Sequence, residues 1–282
     1  MRERCSIFTG FATIVCKRRG TIAATQSVRN SLCTLTAALF FFLALPLQAQ
    51  LQPESIELAK TVPIADTHLH NYQGGAGNFK DLLERNNVQW AGGVGYLNDS
   101  MGSILKGRYI AAIGQREFDQ ILRQGRSFTD PDQWIFKSLF KEAEEGFKLG
   151  TIQGFGELHT DNYDSSPRSE YRRRFRLDSP MMRQAYELAN RYGAFIQIHS
   201  GMDDTFKDDL LLLSADYPNV TTILSHCLPK ARPDDLRNLF KQRKNIVCEV
   251  SGGGPVHASM SSRLGDGKFY TPNGLKPGWK AL

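Results

Sequence analysis

From Thr61 onward, short apolar runs rich in branched residues alternate with amphipathic stretches of helical length, and no other feature constrains the fold as much. Strands kept apart by helix-length segments cannot pair as hairpins, so they lie parallel with a helical crossover between them. The runs that read as strands are residues 63–67, 88–94, 109–114, 152–158, 195–199, 221–225 and 246–251. Asp130-Pro131 opens a helix over 130–146, with Trp134, Leu139, Ala143 and Phe147 recurring on its buried side. Ser179-Pro180 opens another over 181–192, which Gly193 closes, and residues 234–240 form a third, ended by the basic stretch from Lys241 to Lys244. No glycine-rich phosphate loop follows the first strand. The pattern predicts an α/β fold of the TIM-type (β/α)8 barrel, rather than an open doubly wound sheet, with its last strand missing from the chain as given.

Residues 32–47 form an uncharged apolar run preceded by Arg29 and followed by Gln48-Ala49. A membrane span needs about 20 apolar residues, so this shorter run reads as a signal peptide cleaved near Ala49, with residues 1–49 as leader and 50–282 as one domain. The 27 residues ahead of Val28 make that leader long, and Val28 is a candidate alternative start. The expected location is periplasmic or secreted, with no stable membrane anchor after cleavage.

Charge matters here only through its placement. The whole chain carries +6, but the leader takes six basic residues and one acidic residue with it, leaving 29 basic against 28 acidic. A near-neutral domain lacks the concentrated basic face that nucleic acid requires. Of five cysteines only Cys227 and Cys248 lie beyond the leader, which excludes a disulfide framework. They fall near the ends of two neighbouring predicted strands; a bridge is open to them, but two buried thiols are the expectation.

Asp66-Thr67-His68-Leu69-His70 stands where the first strand ends. Residues two apart in extended chain point to one side, so His68 and His70 can share a metal ion. His199 closes the fifth run, His226 follows the sixth, and Glu157 lies at the end of the fourth. In a barrel these strand ends share one rim, and that rim is where catalytic groups converge. Asp66 is a candidate to orient a ligand histidine or to cap the turn.

This arrangement resembles the amidohydrolase superfamily, and within it the amidohydrolase-related group of mostly single-metal enzymes, over residues 64–282. The resemblance implies that His68, His70 and His199 bind metal and that His226 contacts metal or substrate. It gives Glu157 the strand-four position, which bridges two metals in some branches and faces substrate in others. It also implies a divalent cofactor, zinc foremost with manganese or iron as alternatives, and an aspartate on strand eight that would lie beyond Leu282. The activity implied is metal-assisted hydrolysis of a lactone, ester or amide of a small molecule, with His226 stabilising the oxyanion or holding the substrate.

Two relatives compete on the same fold: non-oxidative decarboxylases, and TatD-like nucleases whose Gly-Glu-Ile-Gly-Leu-Asp is Gly-Glu-Leu-His-Thr-Asp here. A non-catalytic periplasmic binding protein is the reading from a different class. Arg168, Arg172, Arg173, Arg174 and Arg176, in the long loop after the fourth strand, would suit an anionic substrate or simply face solvent. Gly252 to Gly254 and His257 are a candidate ligand-approach loop and lid. A homo-oligomer is compatible with all of these readings.

Overall fold

The computed structural model describes residues 53–70, 76–97, 99–163, 166, 169, 172–251, 268–271 and 274–282. The leader, Arg168, Gly252 to Gly254 and His257 therefore lie outside the described residues. None of the described helices is long and apolar enough to cross a membrane.

Parallel strands and helices alternate along the chain. β1 (Ile64–Asp66), β2 (Val88–Gly92) and β3 (Tyr109–Ile110) form one parallel sheet, and β4 (Ala112–Gly114), β5 (Gly154–His159), β6 (Phe195–His199), β7 (Thr221–Leu224) and β8 (Ile246–Cys248) form a second. The run at 109–114 joins them: its first half pairs with β2 (Ala91 to Tyr109) and its second with β5 (Ala112 to Gly154). The single strand expected there is two, because at Ala111 the ladder gives way to the Gln153 side chain, whose Oε1 accepts the Ala111 N–H at 2.6 Å. Strand order follows chain order throughout, which is what a singly wound sheet requires and a doubly wound one does not. A short antiparallel pair, β9 (Tyr270–Thr271) and β10 (Gly274–Leu275), stands apart.

The helices are α1 (Pro53–Thr61), α2 (Ala76–Arg85), α3 (Asp99–Leu105), α4 (Gln115–Arg123), α5 (Trp134–Leu149), α6 (Pro180–Tyr192), α7 (Asp204–Asp216), α8 (Pro233–Gln242) and α9 (Pro277–Lys280). α6 begins as its sequence demands: Ser179 accepts the Met182 N–H, Pro180 occupies the first turn, and Gly193 ends the helix in the left-handed conformation. α5 begins four residues later than Asp130-Pro131 suggests, since Pro131 and Asp132 form a turn instead, with Asp130 Oδ1 accepting the Asp132 N–H at 2.9 Å. Trp134 thus becomes the first helical residue and is exposed, while Ile135 and Phe136 take the inward positions.

One large apolar core lies between helices and sheet, built around Phe118, Phe136, Phe155, Met181, Tyr186 and Ile196. β6 shows how the strands divide their faces. Ile196 and Ile198 belong to this core, whereas Gln197 and His199 turn to the opposite, polar side. β5 needs an irregularity to do the same. Its register against β6 shifts between Phe155 and Leu158, so both of these join the core while Glu157 and His159 face the polar side. Gly156 makes room for that, because a Cβ there would lie 2.4 Å from the carbonyl oxygen of Gly93.

Candidate metal centre

Because the strands are parallel, their C-terminal ends share one edge, and the chemistry-bearing residues sit there. His68 and His70 follow β1, Glu157 and His159 end β5, His199 ends β6, His226 follows β7 and Glu249 follows β8. Glu157 is the hub, with 2% of its surface exposed. Its Oε2 lies 3.5 Å from His68 Nε2, 3.8 Å from His70 Nε2 and 3.0 Å from His159 Nε2. Its Oε1 lies 2.9 Å from His199 Nδ1 and 3.7 Å from His226 Nε2. The structure therefore brings together every candidate ligand named from sequence, and five of the six histidines in the chain surround one carboxylate.

Glu249 stands behind this group. Its Oε1 is 2.9 Å from His68 Nδ1 and also accepts the His226 backbone N–H, while its Oε2 accepts the Ser251 N–H at 2.6 Å. Gln197 lies 3.0 Å from the same His68 nitrogen and 3.3 Å from Ser225 Oγ. Asp66 accepts the His68 backbone N–H at 3.1 Å, the turn-capping role among its two candidates. His226 sits in a turn where it, Cys227 and Leu228 all have positive φ. Two devices hold that turn: Lys268 donates to the carbonyls of all three residues, and Cys227 is bonded to Cys248. The expectation of two free thiols is thus corrected. Leu224 pairs with Cys248, and the turn after β7 brings Cys227 back to a Cα separation of 4.8 Å, within disulfide reach.

Electrostatics follow from burial and these contacts. Burial alone would raise the Glu157 pKa, but the charges and hydrogen bonds of His159 and His199 outweigh it and hold the carboxyl well below its ordinary range. Burial opposes ionisation of Glu249 too, yet its bond to His68 and the amides it accepts bring it down to about 2. Burial pulls His68 down, and the Glu249 hydrogen bond with the charges of Glu157 and Glu249 turns the net shift upward. His226 falls to about 4 through burial and the charge of His68, and burial likewise lowers His70 and His159.

A metal fit can be judged from the donors. Around a tetrahedral zinc with bonds of about 2.0–2.1 Å, ligand atoms sit about 3.3 Å apart. His68 Nε2, His70 Nε2 and Glu157 Oε2 form a triangle with edges of 3.1, 3.5 and 3.8 Å, so these donors fit one ion. His68, Glu157 and His226 form one compact ligand group, and Glu157, His159 and His199 another. Carboxylate and imidazole donors suit zinc, manganese and iron alike.

Beside the centre, a cavity of about 340 Å³ is lined by residues including Asp161, Arg174, Ser200 and Gly201; a cleft sharing Asp161, Ser200 and Gly201 reaches His199. The described arginines of the loop are committed elsewhere. Arg172 donates to the Ser166 carbonyl, Arg174 to Asp161 at 2.8 Å and Arg176 to Asp209 at 3.0 Å. Arg173 turns inward to Asp119 and His159. Three of the four described arginines thus sit against carboxylates.

Three residues of the centre escape the sequence reading: His159, Glu249 and Gln197. Each carries a signal. His159 follows Glu157 by two, as His70 follows His68; Gln197 precedes His199 by two; Glu249 lies in the last predicted strand. Compared with known proteins, the chain matches no family model, no curated relative and no solved structure.

Proposed function

We propose that the chain is a metal-dependent hydrolase of amidohydrolase type on a (β/α)8-type barrel, cleaving a C–O or C–N bond in a small lactone, ester or amide. The observation that carries this reading is the triangle of His68, His70 and Glu157, whose separations suit one divalent ion. Such an ion, zinc foremost, supplies a Lewis acid and acidifies water at neutral pH.

The protein's own groups have distinct tasks. His68 and His70 would hold the ion through Nε2, with Glu249 fixing the His68 ring from behind. Glu157 stays ionised and joins the two halves of the centre, since its oxygens face different histidines. His226 Nδ1 lies 2.9 Å from Ser251 Oγ, which can donate or accept, and 3.3 Å from the Ser251 carbonyl, which can only accept; a proton on Nδ1 would leave the Nε2 lone pair toward Glu157. His226 then binds metal or takes a proton from water, a different role from oxyanion donor. The cleft at His199, about 30 Å³ in volume, has room for a water molecule. The disulfide supports a periplasmic or secreted location, because such bonds persist in oxidising compartments. With Arg173, Arg174 and Arg176 paired to carboxylates, a neutral ester, lactone or amide suits the approach better than an anion.

The test is zinc content of the purified full-length chain, then turnover of p-nitrophenyl acetate, a γ-lactone and an anilide before and after chelation. Stoichiometric zinc and hydrolysis that chelation removes and zinc restores are expected. Carbon dioxide release from an aromatic acid without hydrolysis would transfer the site to the decarboxylase reading. A chain that binds no divalent metal is a binding protein instead.

A further inference from the structure

The loop after β5, the segment after β6 and the first turns of α7 line the cavity of about 340 Å³ beside the metal centre. That volume lies at the lower end of the range for small-molecule sites, roughly 300–1,000 Å³. The inner end of the cavity is buried, with Leu177, Ser200 and Phe206 almost fully covered. Arg174, Arg176, Asp203 and Thr205 are exposed, so the cavity is reached from solvent on their side. None of the candidate metal ligands lines it. The cleft that shares Asp161, Ser200 and Gly201 with it and reaches His199 holds about 30 Å³, room for a water molecule and for nothing larger. The cavity is therefore a site of its own rather than an arm of the centre.

Its charges are matched. Arg174 Nε donates to Asp161 Oδ2 at 2.8 Å and Arg176 Nε to Asp209 Oδ2 at 3.0 Å. The remaining carboxylate, Asp203, accepts the Phe206 N–H at 2.8 Å and stands at the positive end of the α7 dipole. An ion of either sign would thus enter without a counter-charge, at a desolvation cost that nothing offsets. The hydrogen-bonding groups are not all matched. Ser200 is 2% exposed, and its hydroxyl bonds to none of the described residues, although Ser200 lines both the cavity and the cleft. Buried hydroxyls almost always have a partner, so this one is open to what enters. At the α7 end, the first-turn N–H of Thr205 has no intrahelical acceptor, and none of the described residues supplies one. A backbone N–H can only donate, whereas a hydroxyl donates and accepts.

We infer that this cavity binds a small neutral carboxamide with an apolar body, held by the Ser200 hydroxyl and the N-terminal turn of α7. A carboxamide carries both an acceptor oxygen and N–H donors without net charge, which is what the open groups require. Phe175, Leu177 and Phe206 supply the contact for its apolar part. A carboxylate or an ammonium of the same shape would meet the matched ion pairs at a penalty. The site goes beyond the hydrolytic reading and does not depend on it, because Asp161, Ser200 and Gly201 stand between the occupant and His199. That wall is close-packed: a Cβ on Gly201 would lie 3.0 Å from Asp161 Oδ2.

Benzamide, benzoate and benzylamine share one ring and nearly one size but differ in charge, and backbone 1H–15N spectra of the full-length protein can follow each. Benzamide should shift the Ser200, Thr205 and Phe206 signals saturably, with and without zinc, while the two ions bind at least about tenfold more weakly. Ser200→Ala, which removes one hydrogen bond from a folded chain, should weaken benzamide about 2- to 10-fold. Thr205→Trp, at the exposed rim, should abolish its binding and leave signals outside the cavity in place. Tighter binding of benzoate or benzylamine would overturn the inference, as would no response to benzamide or affinity unchanged in both variants. Benzamide binding that appears only with zinc would overturn it too, by moving the occupant to the metal centre. A chain that takes up no zinc yet binds benzamide would sink the hydrolase reading and leave this one standing.

Discussion

Removing the Cys227–Cys248 bond should cost the fold about 3 kcal/mol and loosen the metal centre at the same time. The bond closes a loop with a sequence separation of 21, and the chain-entropy relation for a loop of that size gives about 11 cal/mol/K, or about 3.3 kcal/mol at 25 °C. A domain of this kind has only about 5–15 kcal/mol in total, so the loss is a sizeable fraction of its stability. The bond is also placed to matter locally. His226 immediately precedes Cys227 and Glu249 immediately follows Cys248, so the cross-link fixes the two backbone positions whose N–H and carboxylate meet. Urea unfolding of the parent chain and of the Cys227→Ser/Cys248→Ser double variant measures the first effect, and zinc affinity in a competitive chelator titration measures the second. Peptide mapping after alkylation without reductant should find neither residue modified in the parent chain. If the double variant unfolds within about 0.5 kcal/mol of the parent and binds zinc as tightly, the reasoning that links this bond to the centre is refuted.

Glu249→Gln should lower zinc affinity about 10- to 100-fold with little change in fold, because it removes the carboxylate behind His68 while keeping the shape, and chelator competition measures it. Tyr186→Phe should destabilise the protein by about 1–3 kcal/mol in urea unfolding without affecting zinc binding. It strips the buried Thr222 hydroxyl of its partner at 3.0 Å, in the apolar core rather than the centre.

Much of the fold was legible because burial imposes period and length. The seven apolar runs coincide with strands, and Ser179-Pro180 with Gly193 set the limits of α6 as written. What failed had tertiary causes. The split at Ala111 depends on a side-chain amide from Gln153, 42 residues away, and no local pattern announces it. α5 started late because Asp130-Pro131 serves a turn as well as it serves a helix start, and Trp134 was placed inside by a periodicity that holds only from the next turn onward. The centre divides in the same way. His68, His70, Glu157, His199 and His226 were visible as strand-end residues. Glu249 was not, since a carboxylate in a strand means nothing until its neighbour across the sheet edge is known, and the loop arginines looked like a substrate site only while Asp161, Asp209 and Asp119 were invisible as partners.

The opposing shifts at the centre give metal binding a definite pH dependence. Among His68, His70, His159 and His226, only His68 has its pKa raised, and it is raised because two ionised carboxylates, Glu157 and Glu249, need a cation beside them. In the metal-free protein, as the pH falls, the second proton of His68 meets that demand. With Nδ1–H already committed to Glu249, this proton sits on Nε2, the atom that a metal requires. A divalent ion therefore displaces a proton while meeting the same electrostatic demand, and affinity should fall as pH drops through the raised His68 value, above the ordinary figure of about 6.5. Isothermal titration of zinc in buffers of different ionisation enthalpy at neutral pH should show net proton release, reduced in Glu249→Gln, where the pKa of His68 relaxes downward. Proton release that Glu249→Gln leaves unchanged would place the titrating group elsewhere. Glu249 would then serve only to orient the ring, without supplying the charge that holds the proton.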